Sequence, residues 1–255
     1  MIKNFLRRAY FFLYFLGIDA RRILAFRFIG KYLKDRHYFI KKGGKVLNHD
    51  MELTGFMESA GESQGHYFHQ DLLVANQIFL NSPERHIDIG SRVDGFVAHV
   101  AAFREIEIMD IRDMPKSKHN NITFLRRDLM VKDPSFDELT DSISCLHALE
   151  HFGLGRYGDP INPDGHLIGL ENIINMLKID GMLYLSVPIA DTPGVHFNSQ
   201  RTFTPSDVVA WSKKVSLQRF DFVDDTGSIN FLADINLLPK IHYGCGIFTF
   251  KKEMN

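Results

Sequence analysis

Two periods alternate along the chain. Apolar positions three and four residues apart predict helices over His66–Leu80 (HYFHQDLLVANQIFL), Val93–Phe103 (VDGFVAHVAAF) and Gly165–Leu177 (GHLIGLENIINML). Short apolar or alternating runs predict strands over Arg85–Gly90, Glu105–Ile111, Asn121–Leu129, Ser142–Leu149 and Met182–Ile189. Two further strand-like runs, Leu217–Val223 and Gly244–Lys252, have no helix between them, as in an antiparallel hairpin. Strands alternating with helices give an α/β domain. Its sheet is seven-stranded, mostly parallel and covered on both faces, with the C-terminal hairpin at one edge.

Upstream the pattern changes. A helix capped by Asp19 is expected through ARRILAFRFIGKYLKD, and KKGGK then ends it. The boundary falls near Gly43-Gly44, leaving a helical extension over 1–43 and the α/β domain over 44–255. Charge divides at nearly the same place. Residues 1–45 hold twelve lysines and arginines against Asp19 and Asp35, while the whole chain carries a net charge of −1. A basic head on an acidic body points to an anionic partner for the head, or to the body itself. The apolar run Ala9–Ile18 follows Lys3, Arg7 and Arg8. It is too short to span a bilayer, which needs about 20 residues. Ile18 stands where signal cleavage wants a small residue. The segment is read as an amphipathic helix that either lies at a membrane surface or packs on the body. No nucleic-acid-binding motif accompanies the basic residues.

The 45% apolar content supports a substantial core, and two cysteines, Cys145 and Cys245, exclude a disulfide framework. Both sit in apolar runs and read as buried thiols in a reducing compartment, the cytoplasm.

In an open parallel sheet, ligands bind beyond the carboxyl ends of the strands. The first strand ends at Asp88-Ile89-Gly90-Ser91, where glycine permits a tight turn beside a ligand. Asp110 ends the second strand and is placed to accept from ribose hydroxyls. Asp128 closes the third, where it can meet an adenine amino group. A helix cap or a solvated turn is the plainer role for each.

The ordered set HIDIGSRVDGF, EIMDI, FLRRDL, DSISCLHALEHF and GLENIINMLKIDGMLYLSVP resembles the class I S-adenosylmethionine-dependent methyltransferases, over Arg85–Pro188. ALEHFGLGRYGDPINPDG, VHFNSQRTF and YGCGIFTF further resemble an uncharacterised methyltransferase-like family associated with bacterial surface-polysaccharide genes. The resemblance implies a Rossmann-like fold and a donor site built from Asp88, Gly90, Ser91, Asp110, Ile111, Asp128, Leu129 and Leu146. One departure is visible. The usual motif is Asp-x-Gly-x-Gly-x-Gly, but Arg92 and Asp94 stand at its second and third glycines, with Gly95 one step late.

CLHALEHF, Cys145–Phe152, contains H-x-x-E-H, the inverted zinc-protease signature. It ends a strand rather than lying in a long helix, and no third ligand follows in the protease pattern. The ubiquinone-pathway O-methyltransferases carry Glu-x-x-Glu-His at this place and hold a divalent cation with it. Three roles stay open here. His147, Glu150 and His151 hold a metal that acidifies a hydroxyl; His147 alone is a general base; or the three orient a loop. GVHFNSQRTFTP follows the fifth strand and brings His196, Asn198 and Arg201 towards the same site, with Arg201 suited to a carboxylate or phosphate. Gly155–Gly165 is long and turn-rich enough for a lid, from which Tyr157 and Asp159 reach substrate. Upstream, Tyr67 and Asp71 are placed to close over the donor, with core packing and helix capping as their plainer roles.

The function these features imply is a cytoplasmic S-adenosylmethionine-dependent O-methyltransferase. Its acceptor is a glycan or a nucleotide- or lipid-linked sugar, with docking through residues 1–43 on the inner membrane. Three alternatives remain: an NAD-dependent sugar enzyme, a non-catalytic module organising glycan assembly, and a membrane-anchoring scaffold.

Overall fold

A computed structural model describes residues 13–48 and 50–254 of the chain. They fall into two compact units divided between Glu62 and Ser63, so the break expected at Gly43-Gly44 lies within the first. That unit holds helix α1 (Ala20–Ala25), a 3-10 turn at Phe26–Phe28, helix α2 (Ile29–Lys41) and a second 3-10 turn at Thr54–Met57. The single helix expected after Asp19 is thus interrupted at Phe26-Arg27-Phe28. α2 ends where Gly43 takes φ +89° and the N–H of Gly44 reaches the carbonyl of Phe39, a left-handed cap that glycine adopts without strain. The Phe28 and Phe56 rings meet at 5.3 Å, and the Lys31 ammonium lies 4.7 Å above Phe56. α2 buries none of its residues. Among the described residues no helix is long and apolar enough to cross a membrane. Of the helix expected over Ala9–Ile18, residues 13–15 are helical and the chain turns at Leu16-Gly17; residues 9–12, with Lys3, Arg7 and Arg8, lie outside the described residues.

The second unit is the α/β domain. Its elements run α3 (His66–Asn81), β1 (His86–Ile89), a π-turn at Val93–Val97, α4 (Ala98–Ala101), β2 (Ile106–Asp110), β3 (Ile122–Arg126) and β4 (Thr140–Leu146). Then come α5 (Gly165–Met176), β5 (Leu177–Ile189), β6 (Gly194–His196), β7 (Gln200–Thr202), α6 (Pro205–Ala210), β8 (Val215–Val223), β9 (Ile229–Asn230) and β10 (Gly244–Lys252). One sheet has the order β3-β2-β1-β4-β5-β10-β8-β9, and β6 pairs with β7 in a separate ribbon. β1 to β5 pair in parallel, whereas β10 is antiparallel to both β5 and β8. The antiparallel C-terminal pair is therefore present at one edge of the sheet, as expected, with β10 rather than β8 beside β5. The two-residue β9 makes eight strands where seven were expected.

Alternation along the strands sorts the core into two layers. Ile87, Ile89, Ile143 and Leu185 face Leu170, Ile173 and Ile174 of α5. Ile106, Ile108, Tyr184 and Ile247 face Val74 and Ile78 of α3 with Phe96, Val97 and Val100. Each fully buried aliphatic side chain contributes about 1.5–3 kcal/mol. This two-sided burial pins the register, and parallel register brings Gly90, Asp110 and His147 to one edge of the sheet.

Local chemistry accounts for the remaining differences. The helix expected over Val93–Phe103 is broken at Gly95 (φ −116°, ψ −107°), where a Cβ would lie 2.8 Å from Asp71 Oδ2. β4 stops at Leu146 because His147 turns left-handed (φ 51°). β3 stops at Arg126, so Asp128 lies beyond the strand it was expected to close. β5 begins at Leu177, earlier than expected, and bulges through Asp180 (φ 65°) before pairing resumes at Met182.

Candidate functional site

The parallel strand ends line a cleft. Gly90 follows β1; Asp110, Ile111 and Arg112 follow from β2; Asp128, Leu129 and Met130 come from the segment after β3; His147, Ala148, His151 and Phe152 come from the segment after β4. Gly90 has φ +70°, and a Cβ there would lie 3.0 Å from Ala148 Cβ. Glycine is therefore required, and its bare backbone leaves room for a ligand.

Asp110 projects into this cleft, but its carboxylate is engaged. Arg112 donates to Oδ1 from its backbone N–H (2.8 Å) and from Nε (2.9 Å), and to Oδ2 from Nη2. The Arg112 guanidinium also lies 4.3 Å above the Tyr157 ring. Tyr157 is held there by Asp159, whose carboxylate accepts from the N–H groups of Gly153, Gly155 and Tyr157 at 2.8–3.1 Å. Asp159 thus folds the Gly155–Gly165 segment on itself. Asp128 Oδ1 accepts the Met130 N–H at 2.9 Å.

Several expected site residues are placed elsewhere. Asp88 is fully buried and faces away from the cleft. Its carboxylate accepts from the Ser91 N–H (3.0 Å), Ser91 Oγ (2.7 Å) and Ser144 Oγ (2.6 Å). Asp88 and Ser91 thus fasten the turn after β1 instead of lining the cleft. Burial raises the Asp88 pKa to about 6 despite those three donors. Leu146 is buried and lines a neighbouring cleft. His196 lies on the exposed ribbon, and Asn198 in its turn has φ 60°; neither lines either cleft. Arg201 is buried and reads no anion. It donates to the carbonyls of Phe152 (2.6 Å), Pro163 (3.0 Å), Glu150 (3.3 Å) and Asn162 (3.4 Å). A guanidinium whose fork is filled by backbone carbonyls is a strut that holds the lid segment to the turn after β4.

His147, Glu150 and His151 do come together. Glu150, buried, places Oε1 2.8 Å from His147 Nδ1 and 3.7 Å from His151 Nε2. His151 Nδ1 donates to the Ser199 carbonyl at 2.6 Å, and burial lowers its pKa. Glu150 Oε1 is hydrogen-bonded to His147 Nδ1, while Glu150 Oε2 is buried without a hydrogen-bond partner. The left-handed turn at His147 is fixed by its own N–H, which donates to both the carbonyl and Oγ of Ser186. Burial alone would lower the His147 pKa, but the Cys245 sulfur and the Glu150 carboxylate outweigh it and raise it well above the usual value.

A second cleft adjoins the first. Its lining includes Arg92, Arg112 and Arg156, with Tyr67, Tyr157 and Tyr243. Glu150 is the one acidic residue lining it, and that carboxylate is already engaged by His147. Sequence reasoning missed most of this set. His66 stacks on His147 at 5.3 Å and on Tyr243 at 5.4 Å, and burial lowers its pKa to about 4. Tyr67 tilts against His147 at 5.3 Å, and the Arg92 guanidinium lies 5.6 Å over its ring. Periodicity placed both only at the start of a helix.

The model of a family described as "Caenorhabditis protein of unknown function, DUF268" matches residues 97–209. No curated protein matches the chain by sequence. Solved structures do match it in shape. The 1,6-didemethyltoxoflavin-N1-methyltransferase of Burkholderia thailandensis, crystallised with 1,6-didemethyltoxoflavin and S-adenosylhomocysteine, superposes with a TM-score of 0.54 at 16% identity, covering 91% of this chain and 88% of that one. The cyclase SpnF gives 0.54 at 13% identity over 84% and 90%. The N-methyltransferase NodS of Bradyrhizobium japonicum, in complex with S-adenosylhomocysteine, gives 0.50 at 12% identity over 74% and 89%. One of the three is a cyclase, so the shared fold does not by itself assign the chemistry. In strand order, in the inserted antiparallel strand and in these superpositions, the chain has the Rossmann-like fold of the class I methyltransferases.

Proposed function

We propose that the chain is an S-adenosylmethionine-dependent methyltransferase that methylates a hydroxyl of a glycan or of a nucleotide- or lipid-linked sugar. The observation that carries the donor half is the first cleft: on a class I methyltransferase sheet, Gly90, Asp110 and the Asp128–Met130 segment converge at the carboxyl ends of β1, β2 and β3. In this reading the Gly90 backbone lies against the amino-acid part of the donor. Asp110 accepts from its ribose, and Ile111, Asp128 and Leu129 border its adenine. The donor supplies a methyl group on a sulfonium. The chain's own task is to align an oxygen and to take up one proton. Glu150 fixes the His147 ring through Nδ1, where that ring lines the second cleft.

The acceptor half is supported by the second cleft. Three arginines, two of them paired with Asp94 and Asp110, suit a phosphate or carboxylate that displaces those partners, and three tyrosines offer flat faces to a sugar or base. A cytoplasmic enzyme docking by its basic, apolar first 43 residues on the inner membrane fits lipid-linked acceptors. One observation favours a second reading, a non-catalytic module on the same fold: Arg112 occupies the carboxylate that a donor's ribose would need. The test is transfer of labelled methyl from S-adenosylmethionine to a panel of nucleotide sugars, lipid-linked sugars and neutral oligosaccharides. Label in the anionic acceptors, lost in His147→Ala, is the expected result. Donor binding with no label in any sugar would overturn the acceptor assignment.

A further inference from the structure

A set of donor atoms converges beneath the second cleft, contributed by three elements far apart in sequence. One ring nitrogen each from His66 and His147, together with Cys245 Sγ, all lie within 4.8 Å of one another. His66 opens α3, His147 follows β4, and Cys245 stands at the start of β10. Sheet order brings the last two together, since β5 alone separates β4 from β10.

Two further observations mark this cluster as a ligand set rather than a packing accident. The His147 side chain is 6% exposed, and its Nε2 is buried without any hydrogen-bond partner. A buried nitrogen left unpaired costs on the order of 1–3 kcal/mol unless something binds it. The other ring nitrogen, Nδ1, is hydrogen-bonded to Glu150 Oε1 at 2.8 Å. Metal-bound histidines almost always donate their other ring N–H to a carboxylate, a backbone carbonyl or water, which fixes tautomer and ring orientation. The H-x-x-E-H stretch thus supplies one ligand and its orienting partner, not three ligands.

We propose that His66, His147 and Cys245 bind a divalent zinc-type ion, with the fourth position open to the second cleft. Two nitrogens and a thiolate are a borderline-soft set, and three protein ligands with one open position is the arrangement of catalytic zinc sites. Tetrahedral zinc places such donors about 3.3–3.6 Å apart, so the three atoms need to close by little more than about 1 Å. His66 and His147 line the cleft while Cys245 is fully buried behind them, which leaves the open position on the cleft side. On binding, the Cys245 thiol releases its proton to solvent and the thiolate forms the metal–sulfur bond; no electron is transferred. The site's existence does not depend on the methyltransferase reading. Its use does: an ion there would bind an acceptor hydroxyl and ease loss of its proton.

The test is cobalt(II) substitution in the full chain after treatment with a chelator. The expected result is one equivalent bound, with visible ligand-field bands and a near-ultraviolet sulfur-to-cobalt charge-transfer band. Cys245→Ala should abolish the charge-transfer band. His66→Ala, at a partly buried position, should abolish stoichiometric binding if the cysteine variant does not fold. Glu150→Gln, at a positioning residue, should keep the charge-transfer band but weaken cobalt affinity about 10–100-fold. Absence of stoichiometric cobalt binding by the wild type, or an unchanged charge-transfer band in folded Cys245→Ala, would overturn the site. So would wild-type cobalt affinity in folded His66→Ala. S-adenosylhomocysteine binding, measured on the same samples, reports on the methyltransferase reading separately.

Discussion

Replacing Arg112 by alanine should tighten the binding of S-adenosylhomocysteine. Asp110 is the carboxylate that reaches into the first cleft, and its two oxygens are clasped by the Arg112 fork. A ribose diol needs those oxygens, so a nucleoside ligand must displace the guanidinium. The Arg112 side chain is 47% exposed against 13% for Asp110, which places the pair among screened surface bridges rather than buried ones. Such a pair contributes about 0.5–1 kcal/mol. The contact with Tyr157, 4.3 Å from the guanidinium to the ring, adds a similar amount. Displacement therefore costs about 1–2 kcal/mol, and removing Arg112 should lower Kd about 5–30-fold, since 1.4 kcal/mol is tenfold. Calorimetric titration of wild type, Arg112→Ala and Arg112→Lys gives the number directly, with lysine expected between the other two. Weaker binding in Arg112→Ala would refute the reasoning, because it would mean that Arg112 holds the ligand rather than competing with it.

Arg201→Ala should destabilise the domain by about 3 kcal/mol, because a buried guanidinium with four carbonyl acceptors leaves those carbonyls unpaired. Urea unfolding measures it, and a loss below about 1 kcal/mol would show that Arg201 is no strut. Asp88→Asn should change stability in a pH-dependent way. The Asp88 pKa rises on folding from 3.8 to about 6 through burial. Its contribution is therefore fully present below about pH 4, where both states are protonated, and is lost as pH rises through 6. Asparagine never ionises, so relative to wild type the variant should gain up to about 3 kcal/mol between pH 4 and 7, at 1.36 kcal/mol per pKa unit. Unfolding curves for the two proteins across that range test it. A difference that does not vary with pH would place the Asp88 charge elsewhere.

The parallel architecture was legible because period-2 runs separated by amphipathic helices admit few other folds. The strand-end rule placed Gly90 and Asp110 beside the first cleft, because in a parallel sheet sequence position at a strand end becomes spatial position at one edge; Asp128 lines the same cleft, but from the segment beyond β3. The rule failed for Asp88, one step inside the end of β1, where the side chain turns into the layer below. Arg201 was misread because its burial depends on the Gly155–Gly165 segment folding over it, which no local pattern encodes. The H-x-x-E-H stretch was read as ending a strand, and it does, but the left-handed turn at His147 and the hydrogen bond from its ring to Glu150 are not encoded by the spacing. His66 and Cys245 escaped notice for the opposite reason: they lie 179 positions apart in the chain and meet only through sheet order. The break at Gly95 has a similar origin, since the Asp71 carboxylate that crowds it comes from another helix.

The central claim is that the cleft at the carboxyl ends of β1, β2 and β3 is a nucleoside-donor site. The most direct measurement is calorimetric titration of the full chain with S-adenosylhomocysteine, beside NAD as a control and Asp110→Ala as the variant. Micromolar binding of S-adenosylhomocysteine, not matched by NAD and lost in Asp110→Ala, is the result the account predicts. No binding by the wild type, or binding that Asp110→Ala leaves unchanged, would contradict it.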